Sequence, residues 1–428
     1  MGAGHPMAHE TSTPPPSVRG RWPFPGWYVV AGSMLIHFSF SVAFYYGFSA
    51  FFEPISQEFD WPRAVTAGAF SVRQVESGFS SPISGFLVDR FGSRKVALGG
   101  VALGSLGLFG LGLIQEAWQF YLCVILVSMG SGSALNAFPA ATINWFRRLR
   151  GRALGVMSSG PVFAGLFVPL VVLLIHSLGW RAAMLVLACM VALICFPAAM
   201  LIRHRPEPYG YAPDGDPPGT PQAPTVIRMG EAARDLGIGA RQALRTRSFW
   251  IIAAIFGVHY MGPSAVFIVQ IPYFESVGFS PGAAASTLAV FTVLSGIGRL
   301  GTGFLLDHFD KRLVVMGLLA CDLAGMLVLV NVTAYWMVIP FALSFGVGFG
   351  GMLPSRNVLI SEFFGARNFA SIYGLMGSVT VAFGILAPLL VGWSMDLTGS
   401  YRPAFLAVAA MIACAIPLPF LLRRSQLT

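Results

Sequence analysis

The chain has 428 residues, 55% of them apolar and only 11% charged, with a mean hydropathy of +0.71. A soluble domain carries about 25% charged residues, so this composition excludes one and points to a membrane protein. The net charge of +9 arises from 27 Lys/Arg against 18 Asp/Glu, and their placement follows membrane topology rather than a nucleic-acid footprint.

Residues 1–22, with Pro14-Pro15-Pro16, predict a disordered cytoplasmic tail; they lack the basic start, short apolar run and small-residue cleavage site of a signal peptide. Twelve apolar segments of spanning length follow, at 27–51, 64–88, 96–114, 119–144, 153–176, 182–202, 249–273, 282–305, 313–332, 336–361, 370–395 and 402–422. The first six fall within 23–205 and the last six within 245–424. Arg203 to Arg247 is the one long polar stretch, and its Pro/Gly-rich course from Pro206 to Pro224 predicts a flexible linker over 206–244. With the N-terminus in the cytoplasm, 21 of the 27 Lys/Arg lie in cytoplasmic tails and loops. Only Arg63, Arg181 and Arg402 lie outside, while Arg73, Arg299 and Arg356 lie within helices. That asymmetry is the positive-inside pattern and places both termini in the cytoplasm. Cys123, Cys189, Cys195, Cys321 and Cys414 all sit in apolar segments without metal-ligand spacing and read as small core residues.

An internal repeat underlies this layout. Gly85-Phe86-Leu87-Val88-Asp89-Arg90-Phe91-Gly92-Ser93-Arg94-Lys95 recurs, in worn form, 218 residues later as Gly303-Phe304-Leu305-Leu306-Asp307 followed by Lys311 and Arg312. At the same offset Trp118 meets Trp336, Gly78 meets Gly296, Gly130 and Gly132 meet Gly348 and Gly350, and Phe146 meets Phe364. An offset of half the chain implies a duplicated unit. The motif resembles the loop between the second and third helices in each half of major facilitator superfamily transporters. The resemblance implies an all-α membrane fold of twelve transmembrane helices in two six-helix bundles. It further implies that Gly85, Asp89, Arg90, Gly92, Arg94 and Lys95, with Asp307 in the second copy, form a conformational latch; the alternative is a charged loop that only fixes topology. Gly85 permits close helix approach, and Asp89 at a helix end suits the amides of another helix or an arginine. The second copy has His308 where the first has Arg90, so a weaker latch is expected there.

Trp145-Phe146-Arg147-Arg148, then Arg150, Ala153, Gly155 and Gly160, resembles the fourth-to-fifth helix signature of the monocarboxylate porters. Ala43-Phe44 and Phe51-Phe52 resemble the end of that family's first helix. The chain departs from it where the opening signature is reduced to Gly26-Trp27-Tyr28, and where animal members carry a lysine it has Tyr46. The bacterial monocarboxylate and oxalate:formate branch is the better match.

Ionisable groups inside the membrane are costly unless they face a partner or a water-filled cavity. They are Arg73, Glu76, Arg299, Asp322 and Arg356, with His37 and His259. Arg299 lies in Ser295-Gly296-Ile297-Gly298-Arg299-Leu300-Gly301, with no acid within one turn of its own helix. Its guanidinium fork suits a carboxylate, and a structural pair with an acid on another helix is the alternative. The resemblance places it where both porter families hold a substrate-binding arginine. Arg73 and Glu76, three apart, can neutralise each other; alternatively Glu76 carries a coupled proton and releases Arg73 when protonated. His259 and Tyr260, with Tyr46, Asn136 and Asn357, supply polar contacts on the helices expected around a midplane site. His37 reads as a packing histidine, and Asp322 and Arg356 as less telling because helix ends or polar neighbours are near.

No Walker A sequence, Ser/His/Asp set, H-E-x-x-H or Cys/His cluster occurs, so neither ATP, an enzymatic reaction nor a cofactor is expected. The expected function is secondary transport of a small organic anion, a lactate- or pyruvate-like monocarboxylate moved with a proton. Other readings are an oxalate:formate-type exchanger, an efflux pump for hydrophobic compounds, and a transporter-like receptor. The expected setting is a monomer in the inner (plasma) membrane with lipid, anion and protons as partners and no nucleic acid.

Overall fold

The computed structural model describes residues 24–215 and 238–422; the tail expected to be disordered, 1–22, lies outside them. Among the described residues the fold is all helix. Six long helices come first: α1 (Gly26–Tyr46), α2 (Arg63–Phe91), α3 (Ser93–Leu111), α4 (Ala117–Trp145), α5 (Arg150–Leu178) and α6 (Trp180–Leu201). Six more follow: α7 (Arg247–Ser276), α8 (Pro281–His308), α9 (Lys311–Val330), α10 (Tyr335–Phe364), α11 (Phe369–Thr398) and α12 (Arg402–Leu421). Eleven contain stretches long and apolar enough to cross a membrane. The twelfth, α2, is 29 residues long, but Arg73, Glu76 and its many serines lower its hydropathy.

Adding 218 to the first residues of α2, α3 and α4 gives 281, 311 and 335, where α8, α9 and α10 begin. Packing repeats in the same way. In one bundle α3 packs on α4 and α6, α2 on α4, and α1 on α6; in the other α9 packs on α10 and α12, α8 on α10, and α7 on α12. The bundles meet mainly through α2 against α11 and α5 against α8. Small residues allow these approaches, as expected where apolar lipid gives helices no hydrophobic reason to associate. A Cβ on Gly85 would lie 2.1 Å from the carbonyl oxygen of Ala370, and one on Gly151 would lie 2.2 Å from that of Gly303.

Regular helix is lost where function is expected. The last turns of α1, Ser41–Tyr46, are π-helical and continue into a 3₁₀ turn, Gly47–Phe51. α5 breaks after Ser158, because Pro161 brings no N–H and Val162 donates to Ser159 (3.0 Å) instead of Ser158. At the end remote from the motif loops, Glu58 accepts Arg181 Nε at 2.9 Å and the Trp180 indole. Burial is the largest single influence and raises the Glu58 pKa, but these two donors and the Arg181 charge together outweigh it and hold the carboxyl below its usual range.

Two expectations change here. The described flanks of the 206–244 linker lie against the bundles: Tyr211 packs 6.2 Å from Trp145 and 6.5 Å from Phe24, and Asn368 donates to Ile238 at 3.3 Å. Its glycines serve turns, with φ of 75° at Gly210 and 74° at Gly215. Of the cysteines, Cys123 and Cys195 are buried, but Cys189 and Cys414 are exposed. A helix apolar on every side does not reveal in sequence which face meets lipid.

Candidate functional site

Arg299, on α8, is 5% exposed. Its Nη1 donates to the Ser158 carbonyl that the α5 break leaves without its helical donor, and its buried Nε has no partner. The guanidinium lies 6.0 Å from the Phe349 ring of α10. Tyr46 and His37, from α1, are close enough to interact with its charge. No carboxylate pairs with it among the described residues, so the structural acid pair that the sequence left open is not formed. A complete buried positive charge thus rests on neutral dipoles alone.

A second cluster joins α2 to α1 and α7. The Arg73 guanidinium sits 5.0 Å from the Tyr45 ring and 5.9 Å from Phe44. Both carboxylate oxygens of Glu76 are buried and unpartnered, with the Ser80 and Ser128 hydroxyls nearby but closing no hydrogen bond. The local Arg73–Glu76 neutralisation is therefore not what the side chains do. Three residues apart is near enough, but the aromatic end of α1 draws the arginine the other way. Tyr45, which the sequence did not single out, lies close to Arg73, Glu76, Ser131 and Tyr260. Its π-helical segment is the local distortion that turns it inward.

His259 does not stand alone on α7. Its Nδ1 is 2.6 Å from Oδ2 of Asp322 on α9, a residue with no exposed surface. Asp322 fits because Gly348 of α10 lacks a side chain; a Cβ there would fall 2.1 Å from Asp322 Oδ1. Asp322 is thus a buried partner, and the expectation that it is less telling is corrected. The two are 63 residues apart on different helices, so spacing offers no signal. The imidazole packs 6.3 Å from Phe349, the ring that also lies beside Arg299. Asn136 donates to Ser84 and Ser81 of α2. Asn357 is buried with its Oδ1 unpartnered, and Arg356 is bound by Tyr373.

The motif loops close one end of the molecule. Asp89 accepts from the amides of Ala370 (3.2 Å) and Ser371 (2.8 Å) at the start of α11. Asp307 accepts from Gly151 (2.6 Å) and Arg152 (3.1 Å) at the start of α5, with Arg152 Nε a further 3.6 Å away. Each carboxylate thus satisfies amides that a helix start leaves unpaired. The second copy, which lacks the arginine, accepts as many amides as the first. The reason is that Arg90, Arg94 and Lys95 stand exposed and none donates to Asp89. Gly92, at φ 85°, makes the turn into α3, and the Ser93 amide there donates to His204 Nδ1 at 3.3 Å. Burial, then the charge of Arg205, lowers the His204 pKa to about 4.

These features define a polytopic helical membrane protein whose two pseudo-equivalent bundles meet around a buried polar centre. The chain belongs to the Major Facilitator Superfamily, whose family model matches residues 32–388 and 259–426. Human monocarboxylate transporter 2 is 27% identical over 414 residues, covering 94% of this chain and 85% of that protein. Rat monocarboxylate transporter 4 is 27% identical over 92% of this chain and 81% of its own length. Monocarboxylate transporter 12 of Xenopus laevis is 26% identical over 94% and 89%. The crystal structure of the superfamily transporter FucP in its outward conformation has a TM-score of 0.70 and 16% identity, covering 94% of this chain and all of that one.

Proposed function

We propose that the protein is a proton-coupled transporter of small monocarboxylates, lactate- or pyruvate-like, working by alternating access. The observation that carries this reading is Arg299, a buried guanidinium with no anionic partner. A buried charge left uncompensated costs several kcal/mol, and an incoming carboxylate relieves that cost with matched bidentate geometry. The similarity to proteins named monocarboxylate transporters agrees with this choice of anion. Arg299 supplies one positive charge for one carboxylate; α11 contains no lysine or arginine to take a second.

Glu76 is the proton carrier in this proposal, since two buried oxygens without donors favour the protonated acid. Arg73 is the charge that Glu76 answers to when deprotonated. Asp89 and Asp307 are the gate, the motif end is cytoplasmic, and the closed gate corresponds to a state open to the other side. Tyr46, Tyr260 and Asn357 line the substrate path, with His259 held by Asp322 beside it.

Purified protein in liposomes, given labelled lactate with and without an inward-directed proton gradient, tests the proposal. Uptake should accelerate with the gradient. Glu76→Gln should lose accumulation while retaining exchange. Uptake indifferent to the gradient would remove proton coupling, and accumulation by Glu76→Gln would move the proton elsewhere.

A further inference from the structure

Asp307 shares the turn between α4 and α5 with a second carboxylate. Asp214, from the linker that follows α6, accepts from the amides of Arg147 (3.0 Å) and Arg148 (2.9 Å) through Oδ2. Its Oδ1 lies 3.5 Å from the Leu149 amide, and Arg148 Nε is 4.0 Å away. Asp307 takes the next available amides, those of Gly151 and Arg152. The two acids therefore take five amides of a six-residue run between them. The Asp214 side chain is only 2% exposed, although it belongs to a polar linker.

The linker is shaped to deliver that carboxylate. Asp214 is one of two non-glycine residues with positive φ among the described residues, at φ 62°. Such a conformation is unfavourable for an ordinary residue and persists when its surroundings hold it. Here they do. Trp145 Nε1 donates to Arg203 at 2.8 Å, Asn144 donates to His204 at 3.0 Å, and the Arg203 guanidinium lies 4.0 Å from the Tyr209 ring. Tyr211 packs against Trp145 and Phe24. Residues 203–215 are thus sewn along the end of α4 and terminate on the turn that the gate uses.

The geometry points to Asp214 as a positioning residue for the gate: it holds the α4–α5 turn in the shape that presents the Gly151 and Arg152 amides to Asp307. Asp214 belongs to the same bundle as the turn it holds, whereas Asp307 arrives from the other. When the gate opens, Asp307 withdraws and Asp214 stays, so the turn remains ready to be gripped again. The linker thereby tunes how often that end of the transporter opens. The inference rests on alternating access, not on which anion is carried.

The test uses the full chain in nanodiscs, with its five cysteines replaced and a single cysteine introduced at Ala153, a fully buried α5 position beside the gate. Alkylation by a hydrophilic maleimide reports gate opening without any substrate. Asp214→Asn should raise the alkylation rate at least about fivefold, the lower end of typical coupling between sites. Asp214→Glu should recover part of the effect. Because both acids act through one turn, Asp214→Asn and Asp307→Asn combined should fall well short of the product of their separate effects. Since Asn preserves shape, a folded variant is expected, and its melting temperature separates gating from unfolding. Wild-type alkylation in Asp214→Asn, or strictly multiplicative effects in the double variant, would overturn the assignment.

Discussion

Neutralising either gate aspartate should open the same end of the protein to a similar degree. Asp89 and Asp307 each accept two backbone amides at a helix start, and Asp307 has Arg152 close by as well. A hydrogen bond to a charged group contributes about 1.5–3 kcal/mol, and a charge at a helix N-terminus about 0.3–1 kcal/mol more. Asparagine keeps one acceptor oxygen and the shape but loses the charge, so each substitution should remove about 1–2 kcal/mol. At ~1.4 kcal/mol per decade, the open-to-closed ratio rises by about 5- to 30-fold. Double electron–electron resonance between spin labels on the α2–α3 and α8–α9 loops reads that ratio directly. Transport assays should show a reduced maximal rate with an external KM within about twofold of wild type, because neither residue touches the ligand. If Asp307→Asn left the distance distribution unchanged while Asp89→Asn broadened it, the equivalence of the two copies would be refuted.

Arg299→Lys should lose most transport despite keeping its charge, because the planar fork is lost; normal lactate uptake by Arg299→Ala would sink the anion-site assignment. Oxalate should compete with labelled lactate more than tenfold less well than pyruvate does, since a second carboxylate would be left desolvated (each ~1.4 kcal/mol is one decade). His204, with its pKa lowered from 6.5 to about 4, stabilises the fold in full above pH 6.5, and that contribution is lost as pH falls through 4. The shift amounts to about 3 kcal/mol at most, so melting in detergent should decline from pH 6.5 to 4.5 less steeply in His204→Asn; identical slopes would contradict it. Asp322→Ala should destabilise by about 3 kcal/mol or more by leaving the buried His259 donor unpaired, and Asp322→Asn by clearly less. Chemical denaturation showing Ala and Asn equally harmless would remove the pair's structural role.

The helices, the duplication and the two motif carboxylates were legible in the sequence because each leaves a one-dimensional trace. Spanning segments are apolar runs, a duplication is a constant offset, and Asp89 and Asp307 sit in matching words. Arg299 stood out for a related reason: a charge among glycines and leucines is conspicuous without a structure. Pairings across helices leave no such trace. His259 and Asp322 meet only because Gly348 makes room on a third helix, and nothing in the spacing of the first two encodes that. Tyr45 meets Arg73 from the part of α1 that leaves the regular period, which defeats any assignment of faces by 3.6-residue counting. The described flank of the linker was not legible from composition: proline and glycine signal the absence of helix, and Asp214 shows that such a stretch can be irregular and still firmly held.

The hydrogen bond from Arg299 to Ser158 ties the proposed anion site to α5. A carboxylate bound through the unpartnered Nε edge would leave that bond in place, so the guanidinium would hold ligand and helix at once. Six residues nearer the N-terminus, about 9 Å along the rod at 1.5 Å per residue, are the amides clasped by Asp307. With the anion on Arg299 and the latch at Asp307, as proposed, both would pull on one lever arm, and no relay across the molecule would be required for either to sense the other.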